Sequence, residues 1–206
     1  MPKLYIHEAP VPDTKSLKTL REAALQCQAC PLYLNATQTV FGEGPKNARI
    51  VFVGEQPGDQ EDLAGKPFIG PAGKLLDRAL EEAGITRDDC YVTNAVKHFK
   101  WQAKGKRRLH DKPNSAEIGA CAPWWRAELR IIKPQYVACL GATAARAIFG
   151  RPMKVLQDRG KLHETDWCPR TLITVHPSSL LRMPDPAAKE AAYRQFVADL
   201  TLLRKG

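Results

Sequence analysis

The chain has 206 residues, 44% hydrophobic and 26% charged, which is enough apolar side chain for one folded core and excludes disorder as its main state. No stretch approaches the ~18 apolar residues of a membrane span, and residues 1–12 lack the apolar run of a signal peptide, so a cytoplasmic protein with no membrane partner is expected, monomeric by default. The formal net charge of +9 is concentrated: residues 97–112 hold seven Lys or Arg against the single acid Asp111, which suits either an anionic polymer or plain solvation.

Residues 1–12, with three prolines, read as an extended N-terminal arm, and residues 13–206 as a single domain. A helical pattern covers 16–26, and a short uncharged run over 48–53 reads as a buried strand. A further helix is predicted over 73–83, ended by Gly84, then a strand over 90–96. Residues 115–132 form a helical pattern with Ser115 as N-cap and Pro134 as stop, in which Trp124 and Trp125 read as packing residues. A strand over 136–140, a helix over 143–149, a strand over 171–175 and a helix over 187–203 complete the chain. The alternation predicts an α/β fold, a three-layer α/β/α sandwich around a four-stranded parallel sheet, with ligands beyond the carboxyl ends of the strands.

The run GEQPGDQEDLAGKPFIGPAGKLL (54–76) places five glycines and three prolines between a strand and a helix, more constraint than a plain connection needs. It is neither a Walker loop, because Leu75 follows Gly73-Lys74, nor a G-x-G-x-x-G dinucleotide loop. What it displays over the strand ends is Glu55, Gln56, Asp59 and Phe68. Six cysteines in a reducing compartment point to metal ligands or buried thiols. Cys27-x-x-Cys30 is a pair that can reach one metal, Cys121 stands alone, Cys139 lies mid-strand, and Cys90 and Cys168 lack companions. Zinc and iron-sulfur both remain open on spacing.

The 54–76 loop, the HPSSL run (176–180) and the early CQAC together resemble the iron-sulfur branch of the uracil-DNA glycosylase superfamily, over about residues 27 to 203. Gln56 within GEQPG and the KRRLH run (106–110) are similar to the X-type uracil-DNA glycosylases, in which a loop histidine captures the DNA sugar covalently. The resemblance implies a uracil-DNA glycosylase-like fold and excision of uracil flipped out of DNA for repair, with single strands and also duplex as candidate substrates. It implies Phe68 as a stacking face, Asn94 as reader of the uracil edge, and His176 as donor to the departing base. Ser178 and Arg108 would meet phosphates, and Gln56, Asp59 and Glu55 would line the sugar side. His110 would attack the sugar C1′. A [4Fe-4S] cluster is implied on Cys27, Cys30, Cys121 and His98, the last standing where related enzymes place a cysteine.

Taken alone, several of these residues have plainer readings: Phe68 as a core aromatic, Asn94 as a turn former, Ser178 as a helix cap and His110 as a phosphate or solvent contact. The competing functions are a conventional multiple-turnover iron-sulfur glycosylase and a non-enzymatic sensor of DNA damage.

Overall fold

In the computed structural model, which describes residues 5–204, the elements run in chain order α1 (Leu17–Ala24), β1 (Ile50–Gly54), α2 (Asp59–Ala64), α3 (Pro71–Glu82) and β2 (Cys90–Asn94). A hairpin of β3 (Trp101–Lys104) and β4 (Arg107–His110) follows, then α4 (Ser115–Ile132), β5 (Tyr136–Leu140), α5 (Ala142–Phe149) and α6 (Val155–Asp158). The chain closes with β6 (Leu162–Thr165), β7 (Cys168–Thr174), α7 (Pro177–Leu181) and α8 (Pro186–Thr201).

The period of two along each strand builds the three layers. Ile50, Phe52, Val92, Ala138 and Leu172 join Leu76 and Leu80 of α3 and Phe196 of α8 in one core. Their neighbours Val51, Val53, Tyr91, Val137 and Ile173 join Trp125 and Leu129 of α4 and Ile148 of α5 in the other. A third apolar compartment lies beyond α4, where Leu20, Cys27, Cys30, Cys121 and Trp124 are buried together. Residues 1–4 of the expected arm lie outside the described residues, and residues 5–12 carry no helix or strand. The backbone N–H groups of His7 and Ala9 donate to the carbonyls of Ala29 and Ala120, laying this stretch over the third compartment.

The sheet has five strands in the order β2-β1-β5-β7-β6, not four, and β6 pairs antiparallel with β7 whereas the other pairings are parallel. The sequence Leu-His-Glu-Thr of β6 has no apolar run because it is an edge strand that alternates between exposed and half-buried, the pattern that buried-strand reasoning overlooks. The helix predicted from Ser115 is capped one residue earlier, by Asn114, whose side chain accepts from the Glu117 N–H while Glu117 accepts from the Asn114 N–H. Because β1 lies between β2 and β5, the chain leaves β1 in one direction and returns on its other side. The crevice between the carboxyl ends of β1 and β5 is therefore the topological switch point, where such sheets bind ligands.

Candidate active site

Gly54, the last residue of β1, forms the floor of this crevice. A Cβ placed there would lie 2.4 Å from Asn94 Oδ1 and 2.7 Å from Phe68 Cζ, so only glycine lets both side chains pack against the end of β1. Phe68 sits in the left-handed region at φ 57, costly for an aromatic residue and maintained by its surroundings. Its carbonyl packs against Gly73, where a Cβ would come within 1.7 Å of the Phe68 oxygen, so only glycine fits. The Glu61 carboxylate accepts the N–H of Gly70 at 2.7 Å and of Gly58 at 3.1 Å, closing the loop on both sides of Phe68. The Phe68 ring lies stacked toward the His176 ring, 6.3 Å between centroids and 29° between planes.

His176 caps α7. Its Nδ1 accepts from the Ser178 N–H at 3.2 Å and lies 2.8 Å from the Ser178 hydroxyl, which in turn accepts from Arg182. Burial lowers its pKa to about 4 against the opposing pull of Glu55, so the ring is neutral at physiological pH and carries its proton on Nε2. The Ser178 hydroxyl, expected at a phosphate, is thus engaged in fixing this tautomer.

The basic loop is a hairpin, and its alternation divides the KRRLH run between two faces. Trp101 lies opposite His110, and Ala103 opposite Arg108, so Arg108 and His110 share the inward face while Arg107 and Leu109 point away. His110 Nε2 reaches Glu55 Oε1 at 3.1 Å with half of its side chain still exposed, so the imidazole is held and accessible at once. The other Glu55 oxygen accepts from the Thr143 hydroxyl in α5. Burial opposes ionisation of Glu55, yet the hydrogen bonds from His110 and Thr143 outweigh it and hold the carboxyl below its ordinary value.

Two residues expected to face the ligand serve the hairpin instead. Gln56, buried, donates from Nε2 to the carbonyls of Lys100 at 3.0 Å and Asp111 at 3.1 Å, and its Oε1 accepts from the Lys100 N–H. Arg108 spans α2: its Nε meets Asp59 Oδ1 at 2.6 Å and its Nη1 meets Asp62 Oδ2 at 2.6 Å, with the guanidinium near the faces of Phe99 and Trp101. The sequence offered no sign of Asp62, because α2 is hidden in what reads as a continuous glycine-rich loop.

A family model described as the uracil DNA glycosylase superfamily matches residues 41–201, the segment that contains every pocket residue just described. The chain belongs to the uracil-DNA glycosylase superfamily. Similar proteins include the type-4 uracil-DNA glycosylase of Thermotoga maritima, 40% identical over 81% of this chain and 83% of that protein. The type-4 uracil-DNA glycosylase of Pyrobaculum aerophilum is 36% identical over 92% of this chain and 94% of that protein. A segment making up 16% of a Bacillus phage SP01 DNA polymerase is 33% identical over 79% of the chain.

In this superfamily member the cationic segment is smaller than its sequence suggests. Lys97 is fully buried, 2.6 Å from Glu128 Oε2, and Lys100 pairs with Glu117 at 3.1 Å. With Arg108 turned to α2, the exposed cations of the segment are Lys104, Lys106, Arg107 and Lys112.

The cysteine compartment suits a metal cluster in its chemistry. Cys27, Cys30 and Cys121 are free buried thiols, and burial pushes Cys121 up to about 12, further raised by Cys30 and Cys27. Such thiols ionise only beside a strong positive charge. Cys121 Sγ accepts from the Lys97 N–H and Cys27 Sγ from the Trp124 indole N–H. His98, buried and held neutral with a pKa near 4 by burial, has Nε2 at 2.9 Å from the Thr39 hydroxyl. Among the described residues, no three such donors are drawn together as a metal-binding group.

Proposed function

We propose that the chain is a uracil-DNA glycosylase of DNA repair that excises uracil and then bonds covalently to the abasic sugar through His110. The observation that carries the reading is the 3.1 Å contact between His110 Nε2 and Glu55 Oε1 at the carboxyl ends of the strands, where Phe68, Asn94 and His176 also gather. An extruded uracil would stack on Phe68, present its edge to the Asn94 amide, and direct a carbonyl oxygen at the His176 Nε2–H.

As the N-glycosidic bond breaks, its electron pair leaves with uracil, and the His176 N–H hydrogen-bonds the oxygen that gains charge. The His110 ring, through the nitrogen not engaged with Glu55, donates a lone pair to C1′, forming the new N–C bond. The alkylated ring is then an imidazolium, and the Glu55 carboxylate takes its remaining N–H proton. The hairpin, anchored by Gln56 and Arg108, holds the imidazole where its attack competes with water. Lys104, Lys106 and Arg107 on the outward side would neutralise backbone phosphates.

Cys27, Cys30 and Cys121, with His98 as fourth ligand, would hold a [4Fe-4S] cluster whose part is to tie the N-terminal segment to α4. A second reading, capture by water and repeated turnover, is favoured by the similarity to the type-4 uracil-DNA glycosylases of Thermotoga maritima and Pyrobaculum aerophilum. Release of free uracil from a uracil-containing oligonucleotide tests the shared activity. Tight binding to that oligonucleotide without release would replace both readings with a damage sensor.

A further inference from the structure

We propose that Thr143 is a positioning residue for the Glu55–His110 pair: its hydroxyl fixes one carboxylate oxygen so that the other faces the imidazole. The inference rests on the reading of His110 given above. Glu55 follows β1 and Thr143 lies in the first turn of α5 after β5, so the two residues face each other across the switch point of the sheet. Thr143 is buried at 3% exposure, and its hydroxyl donates to Glu55 Oε2 while Oε1 meets His110 Nε2. A carboxylate on a flexible two-carbon stem has no intrinsic orientation, and a donor on the far oxygen supplies one.

The turn carrying Thr143 also touches the other side of the pocket. A Cβ on Gly141, which has φ +88, would lie 3.0 Å from His176 Cβ. One short turn after β5 thereby sets the carboxylate that serves capture and abuts the histidine that serves base departure. The first turn of α5 adds the positive end of a helix dipole, which favours the ionised carboxylate. The two donors acting on Glu55 agree with this arrangement, because they hold its carboxyl below the ordinary value despite its partial burial, which opposes ionisation.

The test compares Thr143→Val, which keeps shape and removes the hydroxyl, with Thr143→Ser, which keeps the hydroxyl. Thr143→Val is expected to slow adduct formation about tenfold, the scale of one lost hydrogen bond to a charged group, with uracil release changed less. The acid limb of capture against pH should move to higher pH, and Thr143→Ser should restore both rate and profile. Carbon-detected NMR titration of Glu55 in the DNA-free protein provides a readout that does not depend on capture: its pKa should rise in Thr143→Val and return in Thr143→Ser. An unchanged Glu55 titration in Thr143→Val, or a Thr143→Ser variant as impaired as Thr143→Val, would overturn the proposal. If wild-type protein forms no adduct, the reading of His110 fails separately, and the Glu55 titration still decides the part assigned to Thr143.

Discussion

The Gln56 side chain and the Lys100 backbone exchange hydrogen bonds in both directions, Nε2 donating to the Lys100 carbonyl at 3.0 Å and the Lys100 N–H donating to Oε1 at 3.2 Å. With the further bond to the Asp111 carbonyl at 3.1 Å, one side chain at the end of β1 grips both ends of the hairpin that carries His110. Gln56→Ala removes these bonds without touching Phe68, Asn94 or His176. Adduct formation should fall by about tenfold or more, given ~1 kcal/mol per lost bond, while uracil release is largely kept. Single-turnover assays of both steps on one oligonucleotide check this, and parallel loss of the two would place Gln56 in the excision step.

Arg108 makes a different prediction from an arginine aimed at phosphate. Arg108→Ala leaves the Asp62 carboxylate buried without its cation, which should cost about 2 kcal/mol of stability, less than a fully buried pair because part of the guanidinium is exposed. Arg108→Lys should recover little, since one ammonium cannot span Asp59 and Asp62 as the planar fork does. The salt dependence of DNA binding should be unchanged in Arg108→Ala, whereas Lys106→Ala should reduce its slope by about one. An Arg108→Ala variant of normal stability but reduced slope would return Arg108 to the phosphates.

His176 sets a pH signature. Its pKa is lowered from the ordinary 6.5 to about 4, chiefly by burial. A histidine in the unfolded chain takes up a proton as pH falls through 6.5, and folded His176 resists until about 4. The group's contribution to stability is therefore full above 6.5 and is lost as pH falls toward 4. Uracil release by His110→Ser, in which capture is absent, should show no His176 inflection near 6.5. Histidine NMR should follow the same ring unprotonated to about pH 4, and a His176 titration near 6.5 would contradict the account.

The cluster assignment predicts about four iron atoms per chain and a brown chromophore after anaerobic purification. Cys30→Ser should lose both and unfold more readily, because the N-terminal segment loses its tie to α4, whereas His98→Cys should keep the iron. Colourless protein carrying zinc would exclude the iron-sulfur assignment.

Much of the fold was legible where the sequence obeyed simple periodicity. The runs at 136–140 and 115–132 have the bounds of β5 and α4, because a buried strand and a capped helix leave strong patterns. β6 escaped notice as a polar edge strand, and the β3–β4 hairpin as a charged loop whose strands are four residues each. Phe68, Asn94 and His176 stand out in the sequence because each lies at a strand end or in a constrained loop, and the fold gathers them at the carboxyl ends of the strands. Gln56 and Arg108 are conspicuous in the sequence but their partners are not, since a side chain's contacts with distant backbone and with Asp62 leave no local trace. Thr143 reads in the sequence only as the start of the helix over 143–149: in Leu-Gly-Ala-Thr-Ala-Ala the turn after β5 looks like an ordinary helix start, and only the sheet order brings it opposite Glu55.

The most direct measurement mixes wild-type protein with a uracil-containing oligonucleotide and analyses the mixture under denaturing conditions with peptide mass mapping. The account predicts a heat- and detergent-resistant adduct with the abasic sugar on His110, approaching one oligonucleotide per protein, and its absence in His110→Ser, which should instead release uracil repeatedly. Free uracil accumulating over many wild-type turnovers with no adduct would contradict capture by His110 and leave a conventional uracil-DNA glycosylase.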